Sequence, residues 1–258
     1  MLKNAILFLL AVVVYSNLLA QGSMLDHAIA EDDHAHKHPL TNAIELHFAG
    51  VTASLNLKKD GSLSCGSKSL EEMYLIPLKA KASAGGGMIY PGYKDEFILV
   101  LEIRSDEELT LKALETLLGK YHEMLSEKST GTVIKRAVRL IAATKNGKAF
   151  EYKHQSDFIF QEVPFNELPD VNMPEFSGLC GLNFRKIYDW SGLGAMPNMQ
   201  YHSFNSGVKV AAKKGYLTRI YNFPEVPNSM DLFLGAGIAY LQIKDREAFV
   251  RYWKNRKP

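Results

Sequence analysis

Short runs rich in β-branched and aromatic residues alternate with helical stripes along most of the chain. Eight runs read as strands: 24–30, 50–57, 97–103, 137–143, 158–162, 178–184, 217–223 and 238–244. Several are almost continuously apolar, Phe97-Ile98-Leu99-Val100-Leu101-Glu102-Ile103 most clearly, as expected of strands covered on both faces. Over 109–127, Leu111, Leu114, Leu117, Leu118, Tyr121 and Leu125 fall on one stripe and predict a helix. Ser69 followed by Glu71 and Glu72 predicts a capped helix start. Pro197 and Gly215 bracket another helix, and a last one runs from Arg246 to about Lys254. The connection from the fourth to the sixth strand is irregular, because Pro164, Pro169 and Pro174 break any long helix there. Eight strands with crossovers predict an α/β fold in one domain, a closed (β/α)8 TIM barrel over 21–258. The rival is an open doubly wound sheet, but no glycine-rich strand-to-helix turn is present to cradle a nucleotide. Gly85-Gly86-Gly87 follows a helix and reads as a loop.

The first residues stand outside this pattern. Lys3, an apolar run over 5–15 and the sequence Ser16-Asn17-Leu18-Leu19-Ala20-Gln21 read as a signal peptide, cut after about Ala20. Eleven apolar residues are too few for a bilayer that needs about 20. No later segment is apolar enough to span. The expectation is therefore an exported protein, periplasmic or extracellular, with no transmembrane segment. Export permits a disulfide, and Cys65 and Cys180 are the only two cysteines. The sequence leaves their pairing open, although Cys180 reads as a small buried apolar residue. Thirty Lys and Arg against 28 Asp and Glu give a net charge of +2, which argues against a nucleic-acid partner.

Three stretches resemble the phospholipase C-like phosphodiesterase superfamily. The likeness is to its glycerophosphodiester phosphodiesterase-like branch, which includes the fungal altered-inheritance-of-mitochondria proteins. Lys68-Ser69-Leu70-Glu71-Glu72-Met73-Tyr74-Leu75-Ile76-Pro77-Leu78 is similar to that branch's TLxxLYLxPL. Phe97 through Asp106 resembles a strand ending LLIDIKSD, and Phe184 through Asp189-Trp190-Ser191-Gly192-Leu193-Gly194-Ala195-Met196-Pro197 resembles F-W-G-G-MP. Arg219-Ile220-Tyr221-Asn222-Phe223-Pro224-Glu225 and Ala236-Gly237-Ile238 follow in compatible order. The resemblance implies a TIM barrel of the phospholipase C-like type and a phosphoric diester hydrolase ancestry in lipid metabolism. It also implies a mouth holding two histidines and a Glu-x-Asp pair on Mg²⁺ or Ca²⁺. Such a cation neutralises the phosphodiester while histidines move protons.

Against that pattern the site reads as dismantled. The branch's HxHND falls on Ile29-Ala30-Glu31-Asp32-Asp33, so only the Asp33 carboxylate is kept. The Glu-x-Asp pair falls on Thr52 and Ser54, and a later His-Asp falls on Ser67-Lys68. Glu102 and Arg104 keep an acid-x-base pattern, and arginine suits a phosphate or carboxylate. The ligand-binding candidates are therefore Asp33, Glu102, Arg104 and Tyr221. Tyr188, Trp190 and Tyr201 read either as pocket lining or as core filler. His34-Ala35-His36-Lys37-His38 is the one opposing feature. A shorter loop would make His34 and His36 the catalytic pair, and His34, His36 and His38 could also bind zinc or copper. The plain alternative is a solvated loop. His47, His122, His154 and His202 are scattered and read as surface or core residues. The expectation is a pseudoenzyme without a cofactor. It would bind a small phosphodiester, a lipid headgroup or a protein ligand, the alternative being a phosphoric diester hydrolase with a rebuilt, cation-dependent site.

Overall fold

The structure, a computed structural model, describes residues 26–130, 132–144, 147–148, 150, 156–168 and 178–256. The segments expected to form strands supply the staves of a parallel barrel. They are β1 (Ala28–Ala30), β2 (Gly50–Leu57), β3 (Phe97–Ile103), β4 (Val138–Thr144), β5 (Ile159–Gln161), β6 (Leu179–Asn183), β7 (Leu217–Tyr221) and β8 (Tyr240–Ile243). β1 lies between β8 and β2, and the order continues β2, β3, β4, β5 on one side and β8, β7, β6 on the other. The ring closes through one bent segment. β5 pairs with β4, and two residues further on Val163–Pro164 pairs with β6.

Alternation along each strand divides the core in two. Ile29, Ile98, Val100, Ile141, Ala143, Phe160 and Leu179 fill the inside of the barrel. Val51, Ala53, Leu55, Leu99, Leu101, Leu140, Leu182, Ile220 and Leu241 face the surrounding layer. That layer is built from α1 (Thr41–Glu45), α2 (Ile76–Ala84), α3 (Glu107–Leu118), α4 (Phe184–Ile187), α5 (Asn198–Lys213), α6 (Pro227–Gly235) and α7 (Arg246–Asn255). Asp106 and Asp245 cap α3 and α7 by accepting from Leu109 N and Ala248 N. Ser69 Oγ accepts from Glu72 N, at the head of a wide helical turn over Glu71–Leu75 that runs into α2.

Some boundaries differ from expectation. The helix expected over 109–127 runs only from Glu107 to Leu118, and a tight turn over Gly119–Tyr121 ends it. Tyr121 and Leu125 are buried beyond the helix, so their place on the stripe is coincidental. Glu127–Ser129 then pairs antiparallel with Thr132–Ile134. Two further short strands, Leu63–Cys65 and Lys68–Ser69, extend β2 as an antiparallel meander, and Cys65 ends the first of them. Both cysteines are free and buried. The signal peptide expected over 1–20, His154 and the Pro169 and Pro174 region lie outside the described residues.

Candidate active site at the barrel mouth

Above the hydrocarbon of Val100, Ile141 and Phe160, inward-facing positions at the C-terminal ends of the strands carry charge. Arg219 on β7 is the centre. Its side chain is 1% exposed and its Nε and Nη2 donate to both oxygens of Glu162 at 2.7 and 2.9 Å. Its Nη1 donates to Gln242 Oε1 on β8, and its guanidinium lies 4.6 Å from the Tyr221 ring centroid. Burial penalises the Arg219 charge, but the Glu162 carboxylate outweighs it and holds the proton more firmly than usual. Gly181 on β6 makes room for this pair, because a Cβ there would sit 2.3 Å from Glu162 Oε1.

A second ion pair lies at the end of β3. Arg104 Nη2 donates to Glu102 Oε2, and its Nε donates to Ser54 Oγ at 3.1 Å. Burial raises the Glu102 pKa, opposed by Arg219 and Arg104. The third pair joins Glu31, just after β1, to Lys244 Nζ at 3.6 Å. Burial also raises the Glu31 pKa, while Lys244 and a hydrogen bond from Gln242 pull it down. Glu31 Oε2 is buried without a hydrogen-bond partner. Burial, then the nearby Glu162 carboxylate, pushes Tyr221 up to about 12, so it is a neutral phenol at physiological pH. Three carboxylate–cation pairs therefore lie at the mouth, and the Asp32 and Glu225 carboxylates stand close enough to Glu31 to act on it.

The sequence-predicted residues divide by placement. Glu102, Arg104 and Tyr221 border this network. Asp33, in the turn after β1, is fully buried and accepts from Leu40 N at 2.6 Å, Tyr74 Oη at 2.9 Å and Arg246 Nη2 at 2.8 Å. It ties β1 to α7 and offers a ligand no accessible oxygen. His34 is half-buried, with Nδ1 3.4 Å from Ser54 N, whereas His36 and His38 are exposed. Burial, with help from Arg246, lowers the His36 pKa. Among the described residues no three His, Cys, Asp or Glu side chains gather as a metal-holding group. Thr52 and Ser54 stand where the resemblance places Glu and Asp, and both hydroxyls are in use. Thr52 Oγ1 accepts from Asp32 N at 3.1 Å, and Ser54 Oγ accepts from Arg104. Neutral hydroxyls and carboxylates already held by guanidinium do not suit Mg²⁺ or Ca²⁺.

Tyr188 and Trp190 are buried, packed with Phe184, Phe204 and Phe233, and so belong to the helical layer rather than to a pocket. Tyr201 is exposed on α5. Arg246, at the start of α7, is buried and bonded to Asp33 and Asn42. Beside the mouth a cavity of about 540 Å³ is lined by His36, Lys37, His38, Lys244 and Arg246, among others. Glu31, Glu162, Arg219, Gln242 and Lys244 were not nominated from the sequence. The available signal was the spacing of polar residues two apart near strand ends, as in Glu102-x-Arg104, Arg219-x-Tyr221 and Gln242-x-Lys244.

No protein-family model matches the sequence. No curated protein matches it. Among solved structures, a crystal structure of a candidate glycerophosphodiester phosphodiesterase from Galdieria sulphuraria is similar. It covers 89% of this chain and 98% of that chain with a TM-score of 0.50 and 12% identity. At that identity the likeness concerns the backbone fold alone. The chain folds as a parallel TIM barrel similar in backbone to that structure.

Proposed function

We propose that this protein is exported and binds a phosphodiester or lipid headgroup at its barrel mouth without hydrolysing it. The observation that supports this reading is the charge-closed network. Glu31 with Lys244, Glu102 with Arg104 and Glu162 with Arg219 are ion pairs, and among the described residues no three His, Cys, Asp or Glu side chains gather to hold a divalent cation. Removing metal charge from phosphodiester chemistry forfeits several kcal/mol of transition-state stabilisation, which two histidines alone do not restore. Recognition needs less. Arg104 and Lys244 reach the mouth surface and suit a phosphate anion, and Tyr221 and Asn183 can take hydroxyls.

The test is hydrolysis of glycerophosphodiesters, lysophospholipids and a chromogenic diester with Mg²⁺, Ca²⁺, Mn²⁺ or Zn²⁺, against EDTA. No turnover is expected from folded protein, together with calorimetric binding of a glycerophosphodiester that weakens in Arg104→Ala. Turnover abolished by EDTA would refute the reading. If that turnover also vanished in His34→Ala with His36→Ala while the fold persisted, the site would be a rebuilt hydrolase centre.

A further inference from the structure

The segment after β6, running through α4 into the first turn of α5, lies at the mouth end of the barrel and displays large apolar side chains to water. Leu193 is 71% exposed and Met199 is 87% exposed, with Ile187 and Tyr201 partly exposed beside them in sequence. Looseness does not account for this, because the tip is fastened at three successive carbonyls. Asn228 Nδ2, from α6, donates to Gly192 O at 2.8 Å and to Gly194 O at 2.9 Å. Trp190 Nε1 donates to Leu193 O at 3.1 Å, and Trp190 is itself buried against Phe184 and Phe233. Gly192 and Gly194 adopt φ of 85° and 62°, a left-handed backbone that turns the chain sharply on either side of Leu193. Met196 folds back into the core from the same segment, so an inward position was open to an apolar residue. The fold thus holds Leu193 outward by design of its backbone rather than by default.

We propose that this tip docks the protein on a lipid bilayer that carries anionic headgroups, turning the barrel mouth toward the membrane. The chemistry favours lipid over a protein partner. The projecting groups are aliphatic knobs on a convex turn, whereas protein hot spots concentrate aromatic and arginine side chains in fitted pockets. Exposed Arg185 and Lys186 on α4 lie just before the tip, the pairing of apolar insertion with basic attraction that serves interfacial binding. The one carboxylate in the segment, Asp189, is held by Gln200. This inference goes beyond the binding reading above and does not depend on it.

The test is vesicle flotation with the full chain, so that the apolar residues 5–15 contribute equally to every variant. Phosphatidylcholine vesicles and vesicles enriched in phosphatidylglycerol would be compared. Leu193→Asn and Met199→Gln should each weaken binding to both vesicles by about tenfold or more, the size expected from withdrawing one large apolar side chain from hydrocarbon. Arg185→Ala with Lys186→Ala should weaken binding to the anionic vesicles alone. Near-ultraviolet circular dichroism should be unchanged in all of them, since these side chains project into solvent. Vesicle binding that is absent, or equal in wild type and Leu193→Asn, would overturn the proposal. So would a concentration-dependent dimer abolished by Leu193→Asn, which would make the tip a protein contact. Calorimetry with a soluble glycerophosphodiester on the same samples separates the two ideas. Docking without headgroup binding refutes only the mouth reading, and headgroup binding without docking refutes only this one.

Discussion

Replacing Glu162 by Gln should be among the most damaging single changes this barrel can suffer. The substitution keeps shape and one acceptor but deletes the charge facing Arg219, whose side chain is 1% exposed, as Glu162's is 5% exposed. Water cannot take over the lost partner. Breaking a buried pair by removing one member typically costs about 3–5 kcal/mol, because a desolvated ion is left uncompensated. Some of that is recovered here, since Glu102 also acts on Arg219 and Gln242 still accepts from it. A loss of about 3 kcal/mol is therefore expected. For a domain of this size, a loss of that order lowers Tm by roughly 6–12 °C. Thermal unfolding followed by circular dichroism measures it. The double variant Glu162→Leu with Arg219→Met provides the contrast, because replacing both ions by hydrocarbon is often neutral or stabilising. If Glu162→Gln unfolded within a degree of wild type, or if the double variant were less stable than the single one, the pair would not be the buried, mutually dependent unit described above.

Other outcomes follow from the same geometry. Glu31 has a folded-state pKa raised by burial above its ordinary 4.5, so the folded state holds its proton longer than the unfolded chain and stability declines as pH rises through that window. Glu31→Gln should remove this decline, so its Tm advantage over wild type should grow from about pH 4.5 upward; a difference constant from pH 4 to 7 would contradict it. Gly181→Ala would drive a methyl into the Glu162 carboxylate and should cost about 1–3 kcal/mol in chemical denaturation. Tyr74→Phe removes one of three donors to the buried Asp33 carboxylate and should cost about 1.5–3 kcal/mol by the same assay, since the acceptor is charged. Burial pushes the thiol pKa of Cys65 up to about 12 and that of Cys180 higher still, so a thiol reagent should react with them only after denaturant is added.

Strand positions were legible because the barrel staves are covered on both sides. Phe97–Ile103 has no polar residue before Glu102, and both its bounds agree with the apolar run. Gly50–Leu57 agrees as well. Helical stripes were less dependable. The apolar spacing at Tyr121 and Leu125 continued after the helix had ended, because those residues are buried by the turn and strand that follow. At the mouth, Glu102, Arg104 and Tyr221 could be nominated from motif and residue type. Glu162 and Arg219 could not, since their importance comes from a pairing across 57 residues that strand order alone brings about. Asp33 shows the opposite case: a carboxylate in a motif position, yet consumed by three internal donors.

The Asp33–Arg246 bond also bears on when the barrel can form. It joins residues 213 apart, and β1 finds one of its two neighbours, β8, equally late in the chain. Until Arg246 has been synthesised, Asp33 faces burial as a carboxylate without its cation, and β1 has one open edge. Such long-range closure favours slow folding. A chain bound for export, as proposed, gains from that delay: a ring that waits for its last stave remains an unfolded thread while it is being carried across a membrane.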